Sequence, residues 1–250
     1  MKTTTYTALV AACLVSACGG GESGDPRPLS PGGIWKGIDS ATGLAVTALI
    51  DENGDFDVIR ADNGQFYGTL SVSGNAISSS IEGVAPLGSA FPDGSLHGTG
   101  TVKGTLAERS RISASVTFTT DAGETTSTTV DLSFQPHYMA SANVPALAGN
   151  YIDTSTGVVV TIDSGGIIFA QDAATGCVVN GKVLAANSGY SVYAPQITYA
   201  NCQGSATVLN GLEFSGLAMF DSTQSPAHAT LGLRDMSGHH YGLVFSLQRS

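Results

Sequence analysis

The sequence predicts an all-β protein built from two tandem small antiparallel β-barrel-like (or sandwich) domains of about eight strands each. Three observations predict it. First, one stretch occurs twice, at residues 33–47 and 149–161: a Gly, an aromatic (Trp35, Tyr151), a strand, an Asp-x-x-Thr-Gly turn (Asp39 to Gly43, Asp153 to Gly157) and a second strand. The copies lie about a hundred residues apart, one domain length, as expected of a duplicated unit. Second, charged residues are only 12% of the chain while Gly supplies 32 residues. Ser and Thr abound and helix formers are scarce, a composition of strands and turns. Third, short runs alternate apolar and polar residues between Asn-Gly and Gly-rich turn signals, the period of half-buried strands.

In chain order, Met1-Lys2 gives a basic start, residues 8–15 are apolar, and Ser16-Ala17 precede Cys18. The run is too short to span a bilayer and reads as a secretory signal. The tail Val15-Ser16-Ala17-Cys18 resembles the lipobox of bacterial lipoproteins. That resemblance implies cleavage after residue 17 and lipidation at Cys18, and Gly19 in place of an Asp leans toward the outer membrane. Residues 18–32, rich in Gly and Pro, are expected to form a flexible tether with little to bury.

The first β domain is expected over 33–135. Asp51-Glu52-Asn53-Gly54-Asp55 and Ala61-Asp62-Asn63-Gly64 read as hairpin turns, and one strand is expected over 66–72. Ile77, Ser79 and Ile81 share a face, as do Val130, Leu132 and Phe134. Residues 86–94 are the longest irregular stretch and a candidate rim loop. The acidic run 51–57 carries oxygen ligands, but its Gly is misplaced for a calcium loop and no bidentate Glu follows, so a polar turn accounts for it.

A linker over 136–147, with Pro136, Pro145 and a few apolar residues, is expected to pack between the domains. The second β domain runs over 148–250. It ends on Phe245-Ser246-Leu247-Gln248, as the first ends on Leu132-Ser133-Phe134-Gln135. Of four cysteines, Cys177 and Cys202 remain for this domain. In an exported protein the pair reads as a disulfide clipping a hairpin. Closing a loop of about 25 residues adds roughly 3 kcal/mol. Pro195 cannot donate to a ladder and calls for an edge or a bulge.

Net charge is −10, which repels phosphate backbones and excludes nucleic acid as a partner. No nucleophile motif, phosphate loop or dinucleotide fingerprint is present, so the chain is expected not to be an enzyme and no cofactor is implied. His239-His240 is the one cluster among five histidines. Neighbours on a strand point to opposite faces, so no metal site is expected from it. By elimination the candidate binding surface is Tyr190, Tyr193 and Tyr199, against the competing reading of cross-strand core pairs.

The tandem plan, Thr175-Gly176-Cys177-Val178-Val179-Asn180-Gly181 and Pro136-His137-Tyr138 together resemble a group of uncharacterised proteobacterial lipoproteins. Gly33-x-Trp35 is similar to the first strand of lipocalin-type barrels, and the Gly-rich strands at 68–75 to transferrin-binding and factor-H-binding lipoproteins. The resemblance implies an envelope lipoprotein of the outer membrane, held to the membrane by lipid. The long tether, the rigid β body and the missing catalytic motifs fit a non-enzymatic binding module for an unidentified protein or small ligand. The alternative is a periplasmic inhibitor or immunity lipoprotein that blocks an enzyme or toxin with a rim loop.

Overall fold

The structure, a computed structural model, describes residues 27–250. Cys18, its leader and the first part of the tether lie outside the described residues.

Two closed eight-stranded antiparallel barrels follow one another. The first contains β1 (Gly33–Asp39), β2 (Ala45–Ile50), β3 (Asp55–Arg60), β4 (Gln65–Thr69), β5 (Ser71–Ser73), β6 (Ala76–Val84), β7 (His97–Ala107), β8 (Arg111–Thr120) and β9 (Thr125–Phe134). Neighbours pair in sequence order, β4 pairs with β6, and β9 returns to β1, which closes the ring. The single strand expected over 66–72 is broken at Leu70. Its side chain is buried and its N–H leaves the ladder for the Gly54 carbonyl, 2.9 Å away. The short β5 therefore extends β6 beyond the ring instead of lengthening β4.

The second barrel contains β10 (Gly149–Asp153), β11 (Val159–Ile162), β12 (Ile167–Gln171), β13 (Val178–Ala185), β14 (Val192–Ala200), β15 (Glu213–Asp221), β16 (His228–Asp235) and β17 (Gly242–Arg249). It closes between β17 and β10. Cys177 and Cys202 are bonded just beyond the paired ends of β13 and β14. Pro195 sits inside β14, and the β14–β15 register is interrupted beside it, between Tyr193↔Ala218 and Gln196↔Ser215.

The repeated stretch forms the same device in both barrels. Asp39 Oδ1 accepts from Ala41 N at 2.9 Å, and Gly43 N donates back to Asp39 O with φ +71°. Asp153 accepts from Ser155 N and Thr156 Oγ1, and Gly157 N donates back with φ +74°. The aspartate satisfies the turn's free amides while glycine supplies the left-handed residue. Each aromatic also donates to a carbonyl four residues upstream, Trp35 Nε1 to Pro31 O at 3.1 Å and Tyr151 Oη to Leu147 O at 2.6 Å. Asp51 in turn caps its own hairpin through Asn53 N and Asp55 N, as Asp163 does through Gly165 N and Ile167 N.

Tether residues 27–32 are packed, which corrects the expectation of a free tether up to residue 32. Arg27 pairs with Glu108 at 2.9 Å, Ser30 Oγ donates to Glu52, and Leu29 joins the first core. The linker also packs. Its Tyr138 is buried, stacks on Tyr190 at 4.8 Å and donates to Glu52 Oε1 at 2.7 Å. Burial, and then the Glu52 carboxylate, push the Tyr138 phenol far above its usual range.

The barrels meet side by side. Outward residues Ile34 and Leu49 of the first pack on Val192, Leu217 and Met219 of the second. Asp57, fully buried on β3, accepts from Leu217 N at 2.7 Å and from Arg234 Nη1 at 3.0 Å. Leu217 lies where Pro195 interrupts the ladder, so its N–H is spent across the seam. Burial outweighs the Arg234 guanidinium and the Leu217 amide and raises the Asp57 carboxyl to about 6.

Candidate ligand cavity in the first barrel

The two interiors differ. Tyr151, Tyr193, Tyr199 and Phe214 pack at the centre of the second barrel, where Tyr199 meets Phe214 edge-on at 5.7 Å. The first encloses a cavity of about 280 Å³ lined almost wholly by apolar side chains. Ala48 of β2, Val58 of β3, Ile81 of β6, and Ala114, Val116 and Phe118 of β8 face it.

The sequence of β7 adds little side-chain bulk to the interior. Its interior-parity positions alternate Gly98, Gly100, Val102, Gly104 and Leu106. A Cβ at Gly100 would lie 2.2 Å from the Thr117 carbonyl, so the close approach of β8 admits glycine only. No side chain enters the barrel from the three glycines. Small Ala48 and Ala114 add to the room. A void of this kind forfeits dispersion contacts and costs stability.

One end is closed. Trp35, fully buried, packs there edge-on against Phe134 at 5.2 Å. The other end is a mouth formed by the β1–β2, β3–β4 and β8–β9 turns, where Asp39, Arg60, Thr120, Glu124 and Thr128 face the opening. Arg60 is held by Asp62 at 2.7 Å and Asp39 at 3.6 Å. The Asp62 hydrogen bond outweighs desolvation and raises the guanidinium further. Burial pushes Asp39 up, but hydrogen bonds from Thr128, Ala41 and Thr42 prevail and hold its carboxyl below the ordinary value. The cation at the mouth is thus already neutralised.

The expected rim loop lies over this mouth. Phe91 and Pro92 reach the cavity, and Phe91 packs on Phe118 at 5.3 Å. Asp93 ties the loop down by accepting from Thr120 Oγ1 and Ser95 N, which holds its carboxyl low. Leu87 N also donates to Gly242 O of the second barrel at 3.0 Å.

The tyrosine surface expected from the sequence does not form, and this is a correction. Tyr193 and Tyr199 are buried inside the second barrel. Tyr190 is taken up by the seam, under Tyr138 and with Arg109 donating to its hydroxyl at 2.9 Å. Facing direction on β14 is set by barrel closure, which residue parity alone does not reveal. The cavity is hidden in the sequence for the complementary reason. Its signal, glycine at alternate positions of one strand, is also the signal of a weak or bulged strand.

Neither a protein-family model nor a curated protein matches the chain. A solved structure from Bacteroides fragilis, provisionally described as an outer membrane protein, aligns over 87% of this chain and 95% of its own, at 12% identity and a TM-score of 0.26. No helix among the described residues is long and apolar enough to cross a membrane.

Proposed function

We propose that this chain is a lipid-anchored lipoprotein of the bacterial envelope, at the outer membrane, and a non-enzymatic carrier of a compact, uncharged apolar molecule. The observation that carries the reading is the apolar cavity of the first barrel beside an aromatic-filled second barrel. Its volume stands near the lower end of ligand pockets, which run from about 300 Å³ upward. An engineered apolar cavity of roughly half that size stays dry and takes up benzene. Arg60 is committed to Asp62 and Asp39, and Glu124 adds negative charge, so the mouth disfavours an anionic head group. The membrane side of the proposal rests on the lipobox-like Val15-Ser16-Ala17-Cys18 alone. The inhibitor reading gains no support, because the loop it would use is fastened over the mouth by Thr120 and Gly242.

The test is titration of the full chain with N-phenyl-1-naphthylamine, an uncharged apolar dye whose fluorescence rises out of water. Saturable binding at one dye per chain, abolished by Ala114→Phe, is expected. Dye uptake that is unsaturable, or unchanged in Ala114→Phe, would reject the cavity as the site.

A further inference from the structure

A cluster outside the cavity has ligand geometry. Glu82 of β6, His97 at the start of β7, and His240 from the β16–β17 turn bring one donor atom each to within 4.8 Å of one another. The first two belong to the first barrel and the third to the second. We infer that Glu82, His97 and His240 form a site for a divalent transition-metal ion of the zinc class, clasping the two barrels together.

Four observations support it. His97 is buried, yet its Nε2 has no hydrogen-bond partner among the described residues, and a buried polar atom left alone is costly. Its other nitrogen, Nδ1, lies 3.1 Å from Asp121 Oδ1, the carboxylate–imidazole arrangement that orients metal-bound histidines and directs Nε2 at the ion. Nε2 already lies 3.6 Å from Glu82 Oε2, which is itself fixed by the Tyr67 hydroxyl at 2.9 Å. Finally, His240 is a non-glycine residue with φ +58°, and its ring lies 3.9 Å from that of His97. Left-handed backbone at such a residue is uncommon and needs support from its surroundings.

Two imidazoles and one carboxylate are a zinc donor set, with water completing the tetrahedron. Imidazole donors argue against calcium or magnesium, which take oxygen. Ligand atoms around a tetrahedral zinc lie about 3.3 Å apart, so the widest pair of the cluster must close by up to about 1.5 Å. The exposed turn residue His240 can supply that movement. The ion would bridge elements that otherwise touch nearby through Pro86 and Gly242.

The experiment uses untagged full chain, stripped with chelator and titrated with Zn²⁺ by calorimetry and with Co²⁺ by visible absorption. One ion per chain is expected, with tetrahedral Co²⁺ bands and a rise in thermal midpoint on adding Zn²⁺. His240→Ala, on an exposed turn, should fold normally, weaken binding by at least about tenfold, and lose both the bands and the midpoint rise. His239→Ala and His228→Ala should bind like the unaltered chain. Absence of stoichiometric binding, or full affinity in His240→Ala, or loss of binding in His239→Ala instead, would overturn the assignment.

Discussion

Asp57→Asn tests the seam between the barrels through its pH dependence. In the folded chain the carboxyl is raised from 3.8 to about 6, because burial outweighs Arg234 and the Leu217 amide, with Asp55 adding a smaller push upward. Between those two values the folded state binds more protons than the unfolded state. This group therefore favours folding at low pH, and its contribution falls as pH rises through the window. A tenfold change in proton affinity corresponds to about 1.4 kcal/mol, so the full swing is about 3 kcal/mol, of which about 2 kcal/mol falls between about pH 4.5 and about pH 7. Urea unfolding of both chains at these pH values measures it. The aspartates held low, Asp39, Asp62, Asp93 and Asp131 among them, oppose this trend in acid but are common to both chains and cancel in the difference. The unaltered chain should lose about 2 kcal/mol relative to Asp57→Asn on going from acid to neutral pH. Arg234→Met, which removes an interaction that lowers Asp57, should move the break to higher pH. Parallel stability curves for the unaltered chain and Asp57→Asn, or a relative gain toward neutral pH, would refute the reasoning. A relative gain would mean that the ion pair, not burial, governs this carboxyl, and parallel curves that the two balance.

Three further outcomes are expected. Ala114→Phe, which puts a ring into the cavity, should raise stability by about 1 kcal/mol in denaturant melts while eliminating dye uptake. Replacing Cys177 and Cys202 together by Ala should cost about 3 kcal/mol against the oxidised chain, through the entropy returned to a loop of 25 residues, and reductant should bring the unaltered chain down toward the variant while leaving the variant unchanged. Gly216→Ala should cost about 1–3 kcal/mol, since the added Cβ would lie 2.0 Å from Gly232 O and 2.8 Å from Asp57 Oδ2; calorimetry should show a lowered midpoint.

What is legible in the sequence is what local chemistry decides. Asp39 and Asp153 announce their turns because the side chain meets amides or hydroxyls two and three residues on, and Gly43 and Gly157 must be left-handed there. The pairing of Cys177 with Cys202 follows from compartment and an even count. The seam is not legible. Asp51, Asp55 and Asp57 look alike in one acidic run, and only Asp57 meets an amide 160 residues away and an arginine 177 residues away. His240 stands beside His239 in sequence, whereas its ring partner is His97 of the other barrel. The packed end of the tether is hidden for a like reason. Leu29 and Ser30 gain their contacts only once the first barrel provides Glu52, Glu108 and an apolar floor.

The first barrel is hollow and apolar, while aromatic side chains pack the second. Crystals held under xenon pressure distinguish the two interiors, because xenon enters apolar voids without needing polar contacts. Xenon density is expected among Val58, Ile81, Val116 and Phe118, and none among Tyr151, Tyr193 and Tyr199. A first barrel closed by its own side chains, with xenon absent from it or seated only in the second, would contradict it.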